Sequence, residues 1–182
     1  MKKIYRDKAL AELLERLESR DFDRRESALF ELAIMLRRAN QRAGGNDPLS
    51  AADLPRDLSR IRLSPDEQRN IVDRLMRLVV NRRESRASAF WTLSEAAAPV
   101  AWAPVLFLLE ACGHELDGEA AYQACRALRI WLDSGALSDE EIQRGVAARD
   151  LQAQLRRWSR TGDIRLARAA QKLTDILNAA GE

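Results

Sequence analysis

An alanine followed four residues later by a leucine recurs along this chain, at Ala28 and Leu32, Ala89 and Leu93, Ala124 and Leu128, and Ala169 and Leu173. No other feature limits the fold as much. The intervals between successive alanines are 61, 35 and 45 residues. Taking an insertion of about 20 residues out of the first brings all three near the period of stacked helical hairpins. The pattern has a physical reason: a small side chain at a helix crossing lets two backbones approach, and a leucine one turn later fills the adjoining hole. Ala (29), Leu (26) and Arg (26) make up nearly half of the 182 residues, while β-branched and aromatic residues are few. The chain is therefore expected to be all-α, with residues 1–182 forming a single domain.

Apolar spacing and breakers divide the chain into helices. Leu10, Leu13, Leu14 and Leu17 give the first a buried stripe over about Arg6 to Ser19. The second carries Ala28, Leu29, Leu32, Ala33 and Leu36, with Asp23 and Glu26 at capping-box spacing and Gly44-Gly45 at its end. Residues 44–64 hold two Pro and two Gly and read as an insertion with at most one short helical turn, near Ala51. Its Leu49, Leu54, Leu58, Ile61 and Leu63 are apolar enough to lie back on the domain. Ser64-Pro65-Asp66-Glu67 is a strong start for a third helix. A fourth is predicted from near Ser85 until Pro99 stops it. A fifth spans Val105 to Cys112 with Pro104 in its first turn and, being apolar almost all round, is expected to be the most buried. A sixth covers about Glu119 to Leu132. Ser138 and Glu141 open a seventh stretch that breaks near Arg149-Asp150, and Asp163 opens the last.

Asp21 and Asp117 stand seven residues before Ala28 and Ala124, and Arg25 and Arg86 stand three before Ala28 and Ala89. With these positions the pattern resembles the HEAT repeat, whose second helix carries Asp, then Val-Arg, then Ala and Leu. The second copy departs with Arg82 in place of Asp, the third with Ala121 in place of Arg, and in the fourth Asp163 is one residue out of step with Ala169. The resemblance covers most of the chain. It implies a right-handed superhelix, an α-solenoid of about four hairpins, whose second helices line a concave side where partners are held.

Two residues beyond each anchoring alanine is about 200° round the helix from it, away from the hairpin core. Phe30, Trp91, Arg126 and Gln171 occupy those positions, and Ile34, Glu95, Ile130 and Asp175 lie one turn on. Phe30, Trp91, Glu95, Arg126, Ile130, Gln171 and Asp175 are the candidate binding row. An exposed Trp beside an Arg suits a protein hot spot, and equally a base-stacking surface. The competing reading puts Phe30 and Ile34 under the insertion's leucines and Trp91 under a neighbouring hairpin. Trp102, Trp131 and Trp158 fall beside apolar neighbours and read as core or hairpin-edge residues.

The formal charge is +2, distributed as +5 over residues 1–91, −7 over 92–141 and +4 over 142–182. An acidic middle counts against a continuous phosphate-tracking stripe. Arg outnumbers Lys 26 to 4, which fits either a surface for bidentate contacts or the base composition of a genome. His114 is the sole histidine, and with Cys112 it makes no adequate ligand set, so neither a metal nor a cofactor is expected. No acid, base and nucleophile constellation is visible. Cys112 and Cys125 read as small apolar side chains rather than a bridge. With no run of about 18 apolar residues and no signal-like segment, a cytoplasmic protein without membrane contact is expected. The leading expectation is a noncatalytic adaptor that holds another protein or a peptide on the concave row. The alternative is nucleic-acid binding or repair, because HEAT-like alkylpurine DNA glycosylases place Trp, Asp and Arg on that side and Trp91, Arg126 and Asp175 stand on the corresponding row. The charge blocks also permit a subunit whose basic ends meet an acidic partner, including a homo-oligomer.

Overall fold

A computed structural model describes residues 7–40 and 54–180, and these form nine α-helices joined by loops and three short 3-10 turns, without a strand. The helices are α1 (Lys8–Leu17), α2 (Phe22–Asn40), α3 (Pro65–Asn81), α4 (Arg86–Leu93), α5 (Ala98–Cys112), α6 (Gly118–Asp133), α7 (Asp139–Ala147), α8 (Arg149–Trp158) and α9 (Ile164–Ala180). They pack as successive pairs, α1 on α2, α3 on α4, α5 on α6, and both α7 and α8 on α9. The second members also pack in file: α2 on α4, α4 on α6, α6 on α9. One contiguous apolar core runs from Leu10 to Leu177, with α7 packed against it through the partly buried Val146. No described helix is long and apolar enough to cross a membrane.

The anchoring alanines mark the file. Ala28, Ala89 and Ala124 are completely buried. In α9 the completely buried alanine is Ala170, while Ala169 is only partly covered. That restores the spacing, because Asp163 stands seven residues before Ala170, as Asp21 and Asp117 stand before Ala28 and Ala124. Each of the three aspartates caps its helix three residues on, accepting from the N–H of Arg24 (3.1 Å), Ala120 (2.9 Å) and Leu166 (3.2 Å). The cap sets the register, and the alanine follows two turns later.

The second copy, with Arg82 where an Asp is expected, has its start held from the neighbouring pair. Arg25 is 1% exposed; its Nε donates to Ser85 Oγ at 2.8 Å, its Nη2 to Glu84 at 2.8 Å and its Nη1 to the Ser19 carbonyl at 2.9 Å. Arg86 repeats the reach one pair on, donating to the carbonyls of Val79 (2.8 Å) and Glu115 (3.0 Å). Ala121, buried at the equivalent place in α6, ends the series.

Several local expectations are corrected. Helix α2 begins at Phe22 and is capped by Asp21, not by Asp23 with Glu26; the Glu26 carboxylate instead accepts from Ser85 Oγ at 2.7 Å. Helix α4 ends at Leu93, and Pro99 does not stop it but lies in the first turn of α5, which starts at Ala98 rather than Val105. A first-turn residue needs no intrahelical donor, so Pro99 is tolerated there. Pro104 then falls inside the helix, where the one forgone backbone bond is offset by burial of Trp102, Val105, Leu106 and Leu109. Helix α5 is also covered on one side only, since Phe107 is 73% exposed.

Of the insertion, Leu58 and Leu63 are buried, beside Met35 and Ala39 of α2, and the helical turn seen is Leu58–Arg60. Gly44-Gly45, Leu49 and Ala51 lie outside the described residues. The capping boxes at Ser64–Glu67 and Ser138–Glu141 form as their spacing predicts, and α7 gives way to α8 at Ala148. Trp102, Trp131 and Trp158 are buried; the first two donate their indole N–H to the carbonyls of Glu141 (2.7 Å) and Ala96 (3.1 Å). Cys112 and Cys125 are free thiols.

Candidate binding face

Helices α2 and α4 bring Phe30 and Trp91 together as a stacked pair, with ring centroids 6.0 Å apart and planes inclined by 11°. Such a parallel offset arrangement suits the quadrupoles of two rings. Phe30 remains 47% exposed and Trp91 is half-buried, so the described part of the insertion does not cover them. Ile34, one turn on, is completely buried.

Glu95 does not present a free carboxylate. It is 8% exposed, its Oε2 accepts from Arg37 at 2.7 Å, and its backbone carbonyl accepts from the Asn40 side chain at 2.7 Å. These bonds tie the end of α2 to the end of α4. Arg126 on α6 is half-buried, and its Nη1 approaches the Gln123 side-chain oxygen at 3.5 Å. Gln171 and Asp175 on α9 are exposed and bond to each other at 2.8 Å. They sit one residue, about 100° of helix, off the register that Ala170 defines.

Ile130 and Glu95 meet at a groove of about 570 Å³ whose lining also includes Arg37, Asn40, Pro99 and Ala136. The groove is built from backbone ends: the last turn of α2, the turn Ser94–Ala97 after α4, and the end of α6. The hydroxyls of Ser94 and Ser134 close α4 and α6 alike, each donating to the carbonyl three residues back, of Trp91 and Trp131, at 2.6 Å. Gly135, at φ 62°, takes the left-handed conformation that lets the chain turn away after α6. A serine and a glycine at this point mark a helix end in the sequence, but nothing local says that three such ends converge.

Elsewhere on α6 and α9, the Arg165 guanidinium lies 5.3 Å from the centre of the Tyr122 ring and pairs with Glu119 at 2.8 Å. Burial pushes the Cys125 thiol up to about 12 and raises that of Cys112, which Glu115 raises further, so neither thiol is a ready nucleophile. Among the described residues no three His, Cys, Asp or Glu side chains are grouped as a metal would need. Searches of family models, curated proteins and solved structures find no match to this chain.

Proposed function

We propose that the chain is a HEAT-like adaptor, coiled as a right-handed α-solenoid, that binds a peptide segment of a partner protein across α2, α4 and α6. The observation that carries this reading is the Phe30–Trp91 stack, a large aromatic surface left partly open, with the groove-lining Ser94 and Glu95 about one helical turn beyond Trp91. Partly exposed Trp next to a concave, mainly apolar surface is the usual anatomy of a binding hot spot. A nucleic-acid partner fits less well, because α6 and the groove residues from Ser94 to Pro99 belong to the stretch 92–141, with nine acidic and two basic groups.

The test is selection from a library of random peptides displayed against the full chain, repeated with Trp91→Ala. Truncation of a hot-spot tryptophan costs about 2 kcal/mol or more, so recovery of the selected peptides is expected to fall about 30-fold. Equal recovery by the two proteins would remove Trp91 from the account. Duplex binding that collapses as salt rises would move the reading to nucleic acid.

A further inference from the structure

A cleft of about 210 Å³ opens between the end of α1 and the second half of α3, on helices other than those that carry Phe30 and Trp91. Buried Leu17 and Leu78 give it an apolar lining, and its charges are Arg74, Arg77, Arg82 and Glu18. Arg74 has 15% of its side chain exposed, and its guanidinium is held by Asn70 at 3.1 Å and by the Glu18 carboxylate. That pair cancels. The side chains of Arg77 and Arg82 make no hydrogen bond or ion pair with any described residue, so two positive charges stay uncompensated. Asp73, one turn before Arg77, is exposed and off the lining, and Glu84 is taken by Arg25. An arginine near a helix C-terminus ordinarily offsets the negative pole there. Here other donors already do so: the Leu78 carbonyl accepts from the Arg82 N–H and that of Val79 from Arg86 Nε, each at 2.8 Å, while the Glu15 and Arg16 carbonyls accept from the N–H of Glu18 and Ser19. The packing of the chain leaves Arg77 and Arg82 no structural task.

We infer that this cleft binds the phosphate monoester of a small molecule, the phosphate on Arg77 and Arg82 and its carrier against Leu17 and Leu78. Such a group carries about −1.5 to −2 charges at neutral pH, which matches the two uncompensated arginines, whereas a carboxylate would cancel only one. Each guanidinium also offers a fork of parallel N–H donors, the geometry that oxyanions accept. The space is smaller than the roughly 300–1,000 Å³ that encloses a drug-sized ligand, so it suits the phosphate with a carrier about the size of one ring. The site is separate from the peptide-binding face, and the failure of either leaves the other standing.

The test is titration of the full chain near neutral pH with phenyl phosphate, inorganic phosphate and benzoate, following the arginine Nε–H resonances and the methyl resonances of Leu17 and Leu78. Phenyl phosphate is expected to give saturable shifts at Arg77, Arg82 and both leucines at about millimolar affinity, with inorganic phosphate and benzoate each about fivefold weaker. Arg77→Gln and Arg82→Gln, which break no bond within the chain, should each weaken phenyl phosphate about tenfold. Glu18→Gln removes the carboxylate from the lining and should tighten it about threefold. Arg83→Gln, exposed and off the lining, should bind as the wild type does. Benzoate as tight as phenyl phosphate, shifts centred elsewhere, no saturable shift, or an Arg83→Gln loss equal to that of Arg77→Gln would overturn the inference. A phosphotyrosine peptide that binds more than about tenfold tighter than phenyl phosphate would assign the cleft to a phosphorylated protein and overturn it equally.

Discussion

Arg25 occupies the place of a core residue while keeping its charge, and the fork of the guanidinium is what permits it. Three nitrogens reach Ser85, Glu84 and the Ser19 carbonyl, linking the loop before α2 to the start of α4. Glu84 is 52% exposed and regains water if the arginine is lost, whereas Ser85 is completely buried. Arg25→Met is therefore expected to lower stability by about 2–3 kcal/mol, toward the lower end for breaking a buried pair. Arg25→Lys should recover little, since one ammonium cannot span the same three acceptors. Urea unfolding of the variants checks this; unchanged midpoints would refute it. Gly145 is a second position where one residue decides a contact. A Cβ there would lie 2.7 Å from Cζ2 of Trp102, whose ring is buried and pinned by its bond to Glu141. Gly145→Ala is expected to cost about 1–3 kcal/mol through overpacking. The cost should shrink when Trp102 is first replaced by Phe, and a double-mutant cycle that finds the two changes additive would disprove the contact.

At the scale of the element, caps repeat and their effects should repeat with them. Asp117 and Asp163 accept from the same backbone position of α6 and α9, so Asp117→Ala and Asp163→Ala should each lose about 1 kcal/mol in thermal unfolding. In the capping box of α7, the Ser138 N–H and hydroxyl both donate to Glu141 at 2.8 Å and hold its carboxyl below the ordinary 4.5. A lowered folded value means that this contribution is present above about pH 4.5 and is lost as pH falls through the folded value. Carboxyl NMR titration should find Glu141 below its ordinary value, and Ser138→Ala, which removes the hydroxyl but keeps the backbone N–H, should raise it only part of the way; an unshifted Glu141 in the wild type would contradict the geometry. These elements were legible in the sequence because stripe and cap are local signals, as at Leu10 to Leu17, Ser64 and Ser138. The start of α5 was not, since Pro99 serves equally as a stop or as a first-turn residue, and the burial of Trp102 by distant helices decides between them. The outward-facing rule expects Phe30 and Trp91 on one side, where their rings stack and stay partly exposed. It could not reveal that Glu95 is bound by Arg37, 58 residues earlier, nor that three helix ends enclose a groove.

Across the whole molecule, the file of α2, α4, α6 and α9 fixes which parts are held from both sides. Helix α4 has α2 and α6 as neighbours as well as its partner α3, and α6 lies between α4 and α9, whereas α1 packs chiefly on α2. In an array of this kind the terminal members open first, because their loss exposes one interface rather than two. Bonds also tie α4 to both of its neighbours in the file: Thr92 donates to the Leu29 carbonyl at 3.2 Å, and Trp131 to that of Ala96. Native-state hydrogen exchange should therefore find the slowest amides around Phe90–Leu93 and Ala124–Leu128, with α1 opening at a lower free energy. Exchange from α1 as slow as from α4 would mean that the chain opens only as one unit. The aromatic stack and the groove both draw on α4, the most enclosed of the second helices, so a ligand bound there meets a surface already fixed by its neighbours. Binding then needs little ordering of the protein, and exchange protection in α4 should change less on saturation with a selected peptide than it does on Trp131→Phe, which cuts the bond to Ala96.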